Sequence, residues 1–139
     1  MSACQPDRVD LRGDFGRARF TVELADEPSE RSQGLMHRES MATGAGMLFA
    51  YEHPQSVAFW MRNTLIPLDM IFADSVGVVM RVHENAIPLD ETAIEGGQNI
   101  QFVLEINGGL ADRMGISVGS QLRHPVIGAN AAWPCDVKN

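Results

Sequence analysis

The residues best suited to chemistry lie in one stretch, Phe59-Trp60-Met61-Arg62-Asn63-Thr64-Leu65-Ile66-Pro67-Leu68-Asp69-Met70, together with Glu105. Trp60 offers a stacking surface, Arg62 a cation, Asn63 an amide, and Asp69 and Glu105 acceptors. Brought onto one concave face, these groups would make a site for a small polar or carbohydrate-like ligand, or a peptide, with Met36 and Arg38 as a cap. The same two carboxyls would serve a glycoside hydrolase if they faced each other across a pocket, roughly 5–9 Å apart, with one held protonated by burial. A structural reading stands beside both. Arg62 would pair with Asp69 or Glu105, Asn63 and Asp69 would bond the backbone of the connection, and Trp60 would cover the sheet.

Other chemistry is poorly supported. Gly115-Ile116-Ser117-Val118-Gly119 has the spacing of a serine nucleophile elbow. That motif needs a strand before the serine, a helix after it, and an acid then a histidine downstream. Here a helical turn precedes it, and His124 comes before Asp136. The four histidines, His37, His53, His83 and His124, are never two to four residues apart, so no metal is expected. No phosphate-cradling GxxxxGK or GxGxxG is present, and no cofactor is expected. Met36, Met47, Met61, Met70 and Met80 fall at apolar positions and read as core filling.

These residues must be positioned by short strands. Phe20, Val22 and Leu24 alternate with polar residues, as do Val57, Phe59 and Met61. Leu68, Met70 and Phe72 followed by Val78, Met80 and Val82 predict a β-hairpin about the turn at 74–77. Ile100, Phe102, Leu104 and Ile106 form the clearest strand. Pro28 to about Met36 reads as a short helix opened by Asp26 and acidic Glu27 and Glu30. Leu110 to Met114 is one helical turn ended by Gly115. Residues 84–99 read as a long polar loop, with room for a short strand or turn inside it. No strand–helix–strand rhythm repeats. The expectation is a mainly β fold, an antiparallel β-sandwich or jelly-roll-like barrel with two short helices. Residues 1–16 read as an N-terminal tail, tether or weakly paired edge, 17–127 as the single domain, and 128–139 as a C-terminal tail.

Composition agrees with one globular domain. The chain has 139 residues, 45% of them hydrophobic and 21% charged. A net charge of −7 opposes non-specific nucleic-acid binding. No apolar run approaches the length of a membrane-spanning helix. Cys4 and Cys135 sit at opposite ends, and spacing alone leaves them free or paired. Met1-Ser2-Ala3-Cys4 resembles the end of a lipoprotein signal, which would tether the chain to a membrane through Cys4. With Met1 as the native start the protein would be cytoplasmic.

The stretch from Phe59 to Phe72 resembles the hallmark of family 192 of the domains of unknown function, a bacterial and archaeal family. Flanking landmarks are Gly34-Leu35-Met36 with Arg38, Gly46-Met47-Leu48-Phe49, Val103-Leu104-Glu105, and Gly115-Ile116 with Gly119. The similarity runs from about Phe20 to about Leu122. It implies a compact β-sandwich of jelly-roll type and, since many members carry export signals, an exported, periplasmic or lipid-anchored location. It implies no activity, ligand or catalytic residue. The last motif departs from the family pattern, with Ser120 where an aspartate usually follows the glycine. The function expected is that of a non-catalytic ligand-binding or accessory module. A carboxylate-dependent hydrolase and a purely structural motif are the alternatives.

Overall fold

The computed structural model describes residues 4–135. Met1 to Ala3, part of the lipoprotein reading, and residues 136–139 of the C-terminal tail lie outside them. Seven strands are described: β1 (Arg8–Gly13), β2 (Gly16–Ala25), β3 (Ala45–Phe59), β4 (Leu68–Ala73), β5 (Val79–Ala86), β6 (Ile94–Asn107) and β7 (Gln121–Arg123). All hydrogen-bond into one curled sheet, a half-barrel, in the order β5-β4-β6-β3-β2-β1-β7. Its two outer strands are tied at one end. Val79 N–H donates to the Ser120 carbonyl (2.8 Å) and Leu122 N–H to the Gly77 carbonyl (2.8 Å). Two short helices, α1 (Pro28–Gln33) and α2 (Leu110–Met114), complete the mainly β architecture.

The sheet is mixed rather than purely antiparallel, because β2 and β3 run parallel. A parallel pair cannot be joined by a tight turn and needs a crossover of a dozen or more residues. The segment 26–44, carrying α1, is that crossover. The Glu30 carboxylate accepts the N–H groups of Asp26 and Glu27 (3.1 Å each), two donors that the first turn leaves free. Gly34 ends the helix at φ 50°, where its N–H reaches the Glu30 carbonyl (2.9 Å). Leu35 then drops into the core. The acidic first turn expected from Asp26 to Glu30 is present, but the helix stops at Gln33.

Two cores lie on the two faces of the sheet. The inner one gathers Val9, Leu11, Phe20, Leu48, Ile71, Phe102, Leu104 and Ile106 with Leu110 of α2. The outer one gathers Leu35, Met47, Phe49, Met61, Met70, Phe72 and Val103 under the crossover. This explains why β4 is buried at every position. Each fully buried Leu, Ile, Met or Phe contributes about 1.5–3 kcal/mol.

Four local expectations are corrected. Residues 8–13, read as a tail or weak edge, form β1, paired on both sides by β2 and β7 with Val9 and Leu11 buried. The turn expected at His53-Pro54-Gln55 lies inside the single long strand β3, at a break in its pairing with β6 between Ala50 and Gln55. The polar loop expected over 84–99 shrinks, since β5 runs to Ala86 and β6 starts at Ile94. The C-terminal segment does not trail free. Trp133 is buried, and Cys135 forms a disulfide with Cys4.

That disulfide spans 131 residues of sequence and ties both ends of the described chain together. A crosslink over so long a loop removes much of the unfolded chain's freedom. Reduction is expected to lower unfolding free energy by about 2–4 kcal/mol. Urea unfolding with and without dithiothreitol measures it, and coincident curves would contradict it.

Candidate functional site

The crossover leaves a pocket of about 360 Å³ between α1 and the outer face of the sheet. Its back wall is sheet: Phe49 and Tyr51 from β3, and Glu105 from β6. Its roof is the end of α1 and the turn after it, from Arg31 to Met36. Its side is Phe59-Trp60-Met61 at the end of β3, with Thr64 below.

Each wall is held by backbone chemistry. Gly46 pairs with Ile106 on β6, and a Cβ there would stand 2.5 Å from the Glu105 carbonyl oxygen. Only glycine lets the two strands approach this closely. Arg31 is fixed by donating to the carbonyls of Asp26 (2.8 Å) and Ala50 (3.0 Å), with its guanidinium 4.8 Å over the Tyr51 ring. Phe59 meets Phe49 edge to face at 5.0 Å. The loop after Trp60 is pinned by Met61 N–H on the Asp90 carbonyl (2.8 Å) and by His37 N–H on the Asn63 carbonyl (2.8 Å). Trp60 stays 44% exposed at the rim.

Glu105 is the unusual member. It is 4% exposed, and although no hydrogen bond or ion pair to its carboxyl is found among the described residues, no fully buried side-chain oxygen among them lacks a partner, so its carboxyl oxygens reach the pocket. Burial pushes its pKa up to about 8, so it carries its proton at neutral pH and can donate as well as accept. Tyr51 across the pocket is also raised. Burial is the main cause, Arg31 opposes it, and Glu105 adds a little.

The structure brings Trp60, Glu105 and Met36 together around this pocket. It does not bring Asp69. In the β4–β6 ladder Met70 stands opposite Glu105, and Asp69 opposite Ile106. Asp69 therefore points to the inner face. It is fully buried and accepts N–H bonds from Asn85 (2.8 Å), Gly109 (3.0 Å) and Ala111 (2.8 Å). This corrects its assignment as a site residue: it anchors the start of α2 to the end of β5. The proposed acid–base pair fails for the same reason, since the two carboxyls lie on opposite sides of the sheet.

The remaining assignments separate in the same way. Arg38 does not cap the pocket, because it makes a two-pronged ion pair with Glu23 (2.5 and 2.7 Å). Arg62 does not line the pocket and makes no ion pair with a described acid, and its guanidinium lies 5.3 Å from the centre of the Trp60 ring. Asn63 is exposed and serves the turn, at φ 56°, a conformation Asn tolerates better than most residues. Arg31, Tyr51 and Phe59 were not singled out as site residues. Their roles depend on α1 docking over β3, and the landmark Gly34-Leu35-Met36, which forms the roof, was the available signal. Among the described residues no cluster of His, Cys, Asp and Glu is arranged to hold a metal.

A single curled sheet with a crossover-roofed pocket defines a class of small β proteins. The chain belongs to the DUF192 family (Uncharacterized ACR, COG1430), whose model matches residues 10–124. A protein of unknown function from Novosphingobium aromaticivorans has a similar crystal structure, with 43% identity, a TM-score of 0.81, and coverage of 83% of this chain and 82% of that one. A putative transcription regulator from Sinorhizobium meliloti is similar at 41% identity and a TM-score of 0.84, over 91% of this chain and 98% of that one. No curated protein matches significantly.

Proposed function

We propose that this chain is a non-catalytic binding module that holds a small uncharged polar ring, carbohydrate-like, under the β2–β3 crossover. The observation that carries this reading is Glu105, a buried carboxyl without a protein partner that faces a pocket. Its oxygens are left to solvent in the pocket, and a ligand that displaces that water must supply a hydrogen bond in its place. A ligand hydroxyl would do so, while Trp60 and Tyr51 offer faces for the ring. A neutral Glu105 favours an uncharged ligand over an anion, and Arg31 disfavours a cation. The regulator name carried by the Sinorhizobium relative points to nucleic acid, which the net charge of −7 disfavours here. We further propose an exported, oxidising setting, supported by the Cys4–Cys135 disulfide. The thioether of a lipid anchor would need the same Cys4 sulfur, so the disulfide reading replaces the tether.

Acrylamide quenching of tryptophan fluorescence tests the binding reading, because Trp60 is exposed and Trp133 is buried. A panel of methyl glycosides and neutral dipeptide amides is titrated at about pH 6, where Glu105 is protonated. Saturable protection by a glycoside is expected, weakened about five- to tenfold in Glu105→Leu. Protection by dipeptide amides alone would replace the sugar with a peptide. No protection by any compound up to its solubility limit would overturn the reading.

A further inference from the structure

A second hollow, of about 490 Å³, lies far from Glu105 in the fold, between the β1–β2 turn and β7. It is lined by Arg12, Gly13, Gly16, Arg17, Gly119 and Gln121, with no acidic residue among them. Arg12 and Arg17 stand directly opposite each other across the β1–β2 ladder. Like charges at that position repel and weaken strand pairing. Each is held in place despite this. Gln121 accepts from Arg12 Nε (2.8 Å), and the Trp133 ring lies 4.5 Å from the Arg12 guanidinium and 5.5 Å from that of Arg17.

Two acids lie close in sequence: Asp14 in the β1–β2 turn makes no ion pair with a described residue, and Asp10 on β1 is engaged elsewhere. Asp10 is already bonded by Arg19 (2.7 Å) and Arg123 (2.8 Å). Burial alone would raise its pKa, but those two bonds outweigh it and hold the carboxyl below its ordinary value. Arg17 is exposed and has no carboxylate partner among the described residues. In a chain of net charge −7, this corner gathers four arginines about two acids, Asp10, which is engaged, and Asp14 in the turn. The floor is open. A Cβ on Gly16 or Gly119 would meet no atom within 4 Å.

We propose that this hollow binds a doubly charged oxyanion of the phosphate type, gripped by Arg12 and Arg17. Two guanidinium forks opposite each other match the oxygen geometry of phosphate, and an anion between them converts their repulsion into attraction. The anion would be free phosphate or the phosphate of an ester. The site is independent of the Glu105 pocket, and its failure would leave that reading untouched.

Proton–nitrogen correlation spectra of the intact, disulfide-bonded protein test it. Inorganic phosphate and glycerol phosphate are titrated separately, with sodium chloride holding ionic strength constant. Saturable shifts are expected at the Gly13, Gly16 and Gly119 amides, with affinity reduced about tenfold or more in Arg17→Gln. Arg81→Gln, on exposed β5, is expected to bind as the parent does. Tighter binding of glycerol phosphate assigns the ester, and tighter binding of inorganic phosphate the free ion. Shifts that fail to saturate with both, or that persist unchanged in Arg17→Gln, overturn the proposal.

Discussion

Replacing Asp69 by alanine is expected to destabilise the protein by about 3–5 kcal/mol, since each buried donor left without an acceptor costs about 1–3 kcal/mol. Three backbone N–H groups lose their acceptor together: Asn85 at the end of β5, and Gly109 and Ala111 at the start of α2. Water entering the gap would recover part of the cost. Asparagine should fall between. Its oxygen can keep the bonds from Asn85 and Gly109, both made to the same carboxylate oxygen, but its amide then faces the Ala111 N–H, donor against donor. Urea unfolding gives the ordering: parent, then Asp69→Asn, then Asp69→Ala, with the slope m unchanged because the same surface is exposed. A ligand-contacting role predicts the reverse pattern, with stability kept and binding lost. Equal stability of Asp69→Ala and the parent would remove the anchoring role.

The Asp69 result shows what alternation along a strand can reveal and what it cannot. The run from Phe20 to Leu24 was legible because a half-buried strand leaves a period of two in its side chains, and those from Leu68 to Phe72 and from Ile100 to Ile106, covered on both faces, were legible as short apolar runs. Assigning Asp69 and Glu105 to one face needed more, namely the register between β4 and β6. A shift of one residue exchanges the faces, and nothing local to either strand fixes it. Parallel pairing of β2 and β3 was hidden for a related reason, since alternation looks the same in either direction. Pro54 resembled a turn because proline cannot join a ladder, but at a break in the β3–β6 pairing it has none to join. Gly96 resembled a loop residue. It is in β6, where the Phe72 ring occupies the space a Cβ would need. Trp60 and Glu105 were legible as unusual residue types, whereas Tyr51 and Arg31 acquire their roles only when the crossover docks.

Glu105→Gln is expected to remove most of a pH dependence that the parent shows between about pH 4.5 and 8. In the unfolded chain this carboxyl ionises near its ordinary value of 4.5, and in the fold at about 8. Between those values the folded protein holds a proton that the unfolded chain has released. Stability from this group is therefore fully present below about 4.5 and declines as pH rises, by up to about 1.4 kcal/mol per unit, until the folded carboxyl ionises. The total loss is on the order of 5 kcal/mol. Glutamine has nearly the same shape and no proton to lose. It should match the parent near pH 5 and exceed it by several kcal/mol near pH 9. Other groups also bend the parent's curve. His124 is lowered by burial, so its contribution runs the opposite way and is lost as pH falls through its ordinary value of 6.5. Asp10, Glu23 and Glu30 lose theirs only in acid. Subtracting the variant's urea-derived stability from the parent's at each pH cancels these and leaves Glu105 alone. A flat difference from pH 4.5 to 9 would mean that the carboxyl is solvated or ionised in the fold. The pocket would then lose the uncharged donor that makes a neutral ring its best occupant. A ligand that binds the protonated form should extend the stable range upward in pH, and one that displaced the proton should shift it down.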